Sequence, residues 1–250
     1  MTLAPLVLLA LAGAGMLAGF VDAIAGGGGL IALPALLAAG VPPVLALGTN
    51  KLQSVIGTAT AAFTYWQRGF VSLKALSLGM ICQYAASFVG AYVVRQIDTG
   101  VLAVAVPVAL IAIALYFLIA PRLSDEDKHA RLSWTIFLPV MGAVIGFYDG
   151  IFGPGTGSFL TMGFVALFGL GITRAAGNTK IMNLASNLGA LTLFIPSGDV
   201  LWPAALAMAV GQIVGGYLGA LTGIRFGAKL IKPLVVVISL ILAGKMLFVH

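Results

Sequence analysis

Ten residues of this chain occur twice, and each copy sets a carboxylate within apolar sequence. Gly19-Phe20-Val21-Asp22-Ala23-Ile24-Ala25-Gly26-Gly27-Gly28 returns as Gly146-Phe147-Tyr148-Asp149-Gly150-Ile151-Phe152-Gly153-Pro154-Gly155, with six of ten positions identical. At the centre of a membrane helix an Asp costs roughly 2.5 to 3.5 kcal/mol on insertion scales, so its presence needs a reason. The adjoining glycines break a helix and bare its backbone dipoles. Paired breaks at matching places in two halves point to a transporter binding site.

The rest of the composition agrees with a membrane setting. The chain is 61% hydrophobic and only 8% charged, with a mean hydropathy of +1.13. An ordinary soluble domain carries about 25% charged residues. The net charge of +6 fits basic residues gathered in cytoplasmic loops. Nucleic acid is not an expected partner, because no basic cluster with interleaved aromatics exists. Cys82 is the single cysteine, so disulfides and cysteine metal sites have no support. Residues 1–24 read as mature sequence, because a cleaved signal would remove the first copy of the repeat.

Ten apolar segments follow, at roughly 3–24, 30–40, 44–66, 73–94, 100–120, 133–151, 156–170, 172–195, 199–222 and 228–249. The second and seventh are short for a full span and suit half-helices or re-entrant segments. Pro121 to Arg131 is the hydrophilic exception, with Arg122, Asp125, Glu126, Asp127, Lys128, His129 and Arg131. The expected organisation is a first membrane repeat at 1–120, a cytoplasmic linker at 121–132 and a second repeat at 133–250.

The halves align beyond the glycine motif. Gly48-Thr49-Asn50-Lys51 lies over Gly177-Asn178-Thr179-Lys180, Gly69 over Gly198, Gln83 over Gln212, and Gly90-Ala91 over Gly219-Ala220. Each repeat has five apolar segments, and an odd number makes the copies face opposite ways. Loop charge gives the same answer. Arg68 and Lys74 place one loop inside, whereas its counterpart carries Asp199. Arg225, Lys229 and Lys232 place another inside, whereas its counterpart carries Arg95 with Asp98. The expected fold is therefore an all-α polytopic membrane protein of two inverted repeats, broken or short helices at its centre and both termini outside.

Few residues in the apolar runs can do chemistry. Asp22, Lys51, Asp149 and Lys180 form two repeat-related sets, and Lys245 near the C-terminus can snorkel to the interface. Residues three and four apart share a helix face, so Lys51, Ser54 and Thr58 form one polar stripe and Lys180, Asn183 and Asn187 another. Gln83 and Gln212 add donors to the cavity that these stripes would line. Helix starts near Gly26–Gly29, including Gly28, and Gly153–Gly157, including Gly155, would offer backbone N–H groups to an anion. Thr49, Asn50, Asn178 and Thr179 would orient its oxygens. Against this stands a purely structural reading, with Lys51 paired to Asp22 and Lys180 to Asp149. Asp22 and Asp149 also admit proton coupling, since a carboxylate in a low-dielectric site can load and release a proton.

Other motifs carry less. Gly26–Gly29 is not a phosphate loop, because no Gly-Lys-Ser/Thr follows. His129 and His250 lie in a loop and at the terminus, and Ser158 lacks a histidine partner. Trp66, Trp134 and Trp202 fall near segment ends and read as interfacial anchors. Gly211, Gly215, Gly216 and Gly219 read as a close helix-packing face. No enzyme constellation, metal site or cofactor is expected.

At these residues the chain resembles the TauE/SafE family of sulfite and organosulfonate exporters, also known as the toluene sulfonate uptake permease family. The resemblance spans residues 5–249 and rests on the Gly-Phe-x-Asp-x-Ile-x-Gly-x-Gly repeat with the two Lys51 and Lys180 motifs. It implies alternating-access transport, as an exporter in the cell inner membrane, of small sulfur-containing anions such as sulfite, organosulfonates or thiosulfate. Pro154 departs from the repeat pattern and removes an N–H, so the two half-sites are not expected to be equal donors. An anion channel, a proton-linked carrier of another small organic solute, and a membrane-embedded assembly protein stay open, as does homo-oligomerisation.

Overall fold

A computed structural model describes residues 3–119 and 132–227, and within them the chain is helical without strands. The helices are α1 (Pro5–Ala25), α2 (Gly29–Ala38), α3 (Pro43–Gln67), α4 (Leu73–Gln96), α5 (Thr99–Ile119), α6 (Trp134–Ile151), α7 (Thr156–Ala166), α8 (Ile172–Phe194) and α9 (Trp202–Phe226). Each matches an expected apolar segment. The tenth segment and most of the linker, with Lys245 and His129, lie outside the described residues.

Local chemistry sets the helix ends. Prolines open α1, α3 and α9 at a position whose N–H has no intrahelical acceptor. α1 stops where Gly26 turns left-handed (φ 78°) and donates its N–H to the Asp22 carbonyl. Its counterpart Gly153 has φ 88°, and the same conformation recurs at the matched pairs Gly40/Gly169 and Gly69/Gly198. The repeat is therefore visible in the backbone as well as in residue identity.

α2 and α7 have 10 and 11 residues, about 15 Å of helix at 1.5 Å per residue, or half of a ~30 Å hydrocarbon core. They are half-helices. α1, α4, α6 and α9 are long and apolar enough to cross a membrane. Their outward faces are lipid-like, as at Leu6, Leu9, Ile81, Val144, Leu206 and Val210. α3 and α8 lie inside and bury most of their polar residues.

Packing follows the repeat by exchange. α1 lies along α9, and its counterpart α6 lies along α4, the counterpart of α9. α3 packs on α9 as α8 packs on α4, and α3 and α8 meet each other. Glycines permit the close approaches: a side chain at Gly211 or Gly215 would strike the α1 backbone, and one at Gly146 or Gly150 the α4 backbone. Trp66 and Trp202 are exposed at helix ends, as expected of anchors. Trp134 instead joins an aromatic cluster, 4.0 Å from Phe168 and 6.2 Å from Phe164 between ring centroids.

Candidate functional site

The glycine breaks meet at the centre. A Cβ on Gly26 would strike the Gly157 and Ser158 backbone, and one on Gly29 would lie 3.0 Å from Pro154 Cα. The two loops cross main chain to main chain, which only small residues allow. Ser158 seals the crossing by donating its hydroxyl to the Ala25 carbonyl at 2.5 Å.

Beside the crossing is a small polar cavity of about 20 Å³. Its wall takes Asp22, Gly26, Gly29, Asn50, Lys51 and Ser54 from the first half. The second half supplies Asp149, Gly153, Gly157, Asn183 and Asn187. Both glycine loops and both central helices thus contribute.

The charges pair across the halves. Lys51 Nζ on α3 lies 2.8 Å from Asp149 Oδ2 on α6, and Lys180 Nζ on α8 lies 2.8 Å from Asp22 Oδ2 on α1. This corrects the pairing of Lys51 with Asp22 and Lys180 with Asp149, since each lysine reaches the other repeat's acid. Both lysine side chains are 1% exposed, and removing one partner of such a pair strands a buried charge. Lys180 also donates to the Asp22 carbonyl oxygen. Asp149 Oδ1 accepts from Thr156 Oγ1 at 2.7 Å at the start of α7, while the Gly28 N–H reaches Asp22 Oδ1 at 3.4 Å at the start of α2. Each acid therefore bridges its broken helix to the half-helix that follows. Tyr148 Oη donates to the Pro154 carbonyl at 2.5 Å and holds the second loop from one side only.

Amide orientation gives the cavity its chemistry. Gln53 Nε2 donates to Asn50 Oδ1 at 2.8 Å and to Ser54 Oγ at 3.0 Å. Asn187 Nδ2 donates to the Asn183 carbonyl at 2.9 Å and to Asn183 Oδ1 at 3.3 Å. With their oxygens engaged, Asn50 and Asn183 have NH₂ groups to offer a ligand.

The expected site residues on this cavity's wall are Asp22, Gly26, Asn50, Lys51, Ser54, Asp149, Gly153, Asn183 and Asn187, with Gly29 and Gly157 from the two glycine runs. The others lie elsewhere. Lys180 sits behind Asp22. Thr49 donates to the Leu45 carbonyl and accepts the Leu201 N–H at 2.9 Å. Thr179 accepts from Thr161 at 3.1 Å, and Asn178 is buried without a place on the wall. Gly28 and Gly155 are the N-caps of α2 and α7, with unlike conformations (φ −57° and 83°). Gln212 donates to Gln53 Oε1, whereas Gln83 is buried on α4 away from the wall. Sequence reasoning missed Gln53 and Thr156. Gln53 has Met182 as its repeat counterpart and so escapes a search for duplicated polarity.

A polar cavity at the meeting of two broken helices, inside an apolar helical bundle, defines a polytopic membrane transporter. The family model described as sulfite exporter TauE/SafE matches residues 11–246, and the chain belongs to this family. It is 45% identical over 234 residues to the probable membrane transporter protein ORF9 of a Sinorhizobium species, covering 94% of this chain and 90% of that protein. It is 42% identical to a probable membrane transporter protein of Haemophilus influenzae, with 94% and 92% covered. It is 41% identical to the probable membrane transporter protein YfcA of Escherichia coli K12, with 98% and 91% covered. No solved structure matches the chain. The protein is thus a membrane transporter, set in lipid, with a small-molecule substrate.

Proposed function

We propose that this transporter is a secondary exporter of small sulfur-containing anions, such as sulfite, organosulfonates or thiosulfate. The central cavity carries the reading. Its wall combines a lysine, oriented amide groups and the starts of two half-helices, all suited to oxyanion oxygens. The sulfur in the substrate is taken from the family's description.

The proposed cycle is alternating access by two inverted repeats in the cell inner membrane, both termini outside. The exchange of helix partners supports it, and so does the meeting of Arg95 with Asp199 at 2.5 Å, since loop charge assigns both loops to the outer face. Each crossed ion pair joins one repeat to the other, so tilting of the repeats pivots about the cavity itself. A bound anion would be passed between faces without moving far.

Counterflow in proteoliposomes tests the reading. Vesicles loaded with unlabelled sulfite should concentrate labelled sulfite transiently, as a carrier does. Simple equilibration would mark a channel, and no sulfite, thiosulfate or sulfonate flux would end the proposal.

A further inference from the structure

We infer that the two lysine–aspartate pairs have separate tasks: Lys51 is the cation that meets the transported anion, and Lys180 is a structural tie. The inference rests on the central cavity being the substrate site.

The two ammonium groups differ in how fully they are used. Lys180 Nζ donates to both the carboxylate and the main-chain carbonyl of Asp22. That carbonyl also accepts the Gly26 N–H at 2.8 Å, so Lys180 clamps the last turn of α1 where it breaks. Lys51 Nζ lies 2.8 Å from Asp149 Oδ2 and, among the described residues, has no further hydrogen-bond acceptor. An ammonium has three N–H donors. One of those of Lys51 faces Asp149, and the other two are left for a ligand.

Access differs as well. Lys51 forms part of the cavity wall and Lys180 does not. The point where a Cβ of Gly153 would stand is 3.1 Å from Lys51 Nζ, so the absence of a side chain there leaves room beside the ammonium. At the matching place in the first half, Gly26 is covered by the main chain of Gly157 and Ser158. Asn50, one residue before Lys51, has its oxygen held by Gln53 and its NH₂ available on the same wall. A single oxyanion can therefore take a charged donor and a neutral one from adjacent residues of α3. The pseudo-symmetric repeat yields one anion contact, not two.

The test is thermal melting of the detergent-purified full-length protein, titrated with sodium sulfite or sodium methanesulfonate against chloride at equal ionic strength. A ligand that binds the folded state raises the midpoint. In the wild type either probe should raise it. Lys51→Gln should weaken the apparent affinity about 10- to 100-fold, the range for a charge-assisted hydrogen bond. Lys180→Gln should lower the starting midpoint yet keep the ligand-induced rise. If Lys51→Gln misfolds, Lys51→Gln with Asp149→Asn removes both charges and should melt normally without responding to either probe. A wild type that binds while both Lys51 variants bind equally well would overturn the division of tasks and leave the anion site standing. A wild type that responds to neither probe would overturn both.

Discussion

Gln83 and Gln212 occupy matching places in the two repeats, both buried, and their surroundings could hardly differ more. Gln212, on α9, donates to Gln53, which in turn donates to Asn50 and Ser54 on the cavity wall. Among the described residues, Gln83, on α4, has neither amide atom hydrogen-bonded, and Ser87 one turn on is equally unpartnered. The cause is two substitutions between repeats: Met182 stands where Gln53 stands, and Gly216 where Ser87 stands. Left-handed glycines recur at three matched positions, but the polar network is present in one corner only. The wall with Asn50 is braced from a neighbouring helix, whereas Asn183 is held from within α8 by Asn187.

The loop crossing belongs to both corners, so it is the place to break them together. Gly157→Val would drive a side chain into the Gly26 main chain, 2.5 Å away at its Cα. Backbone cannot yield as a side-chain tip can, and overpacking costs about 1–3 kcal/mol or more. The expected outcome is loss of most monodisperse protein on size exclusion and a collapsed melting midpoint. A variant of wild-type yield would mean that the loops separate freely.

Gln212→Leu separates the corners. It strands Gln53 Oε1 in a buried setting, a cost of about 1–3 kcal/mol. It also loosens Gln53, so anion-induced stabilisation should fall through Asn50 although Gln212 is off the cavity wall. A melting curve and a sulfite titration check both effects. Unchanged anion response would show that Asn50 needs no brace.

Much of this was legible in the chain. The nine described helices fall within a few residues of the expected segments, because an apolar run bounded by Gly, Pro and charge is a local signal. The short segments at 30–40 and 156–170 end even earlier, at Ala38 and Ala166. The pairing of charges was not legible. Within either repeat Asp and Lys stand about thirty residues apart on different helices, so local spacing is equally consistent with pairs inside or across the halves. Only the crossing of the loops decides. Gln53 was hidden for a related reason: a search for duplicated polarity finds what the repeats share, and Gln53 is what they do not share.

Gln83→Leu should then have the opposite sign from Gln212→Leu. It removes two unpartnered polar atoms and strands nothing, so the expected change runs from none to a stabilisation of about 1 kcal/mol. A loss as large as that of Gln212→Leu would show that Gln83 serves a partner, and the two corners would be alike after all.

The smallest effect belongs to the ends of the bundle, where the repeats again diverge. Arg95 and Asp199 form a part-exposed ion pair, with side chains 30% and 23% exposed. Their repeat counterparts, Ile224 and Phe70, belong to an apolar cluster with Tyr65. Tyr65 Oη donates to the Ala23 carbonyl at 3.2 Å, so this end is closed by ring packing and one hydrogen bond. Arg95→Ala should cost no more than about 1 kcal/mol, because solvent and salt screen a part-exposed pair. The loss should shrink further in high salt. Melting in low and high sodium chloride separates the cases: a salt-insensitive loss would mean that Arg95 acts through packing, and the polar end would then close as the aromatic one does.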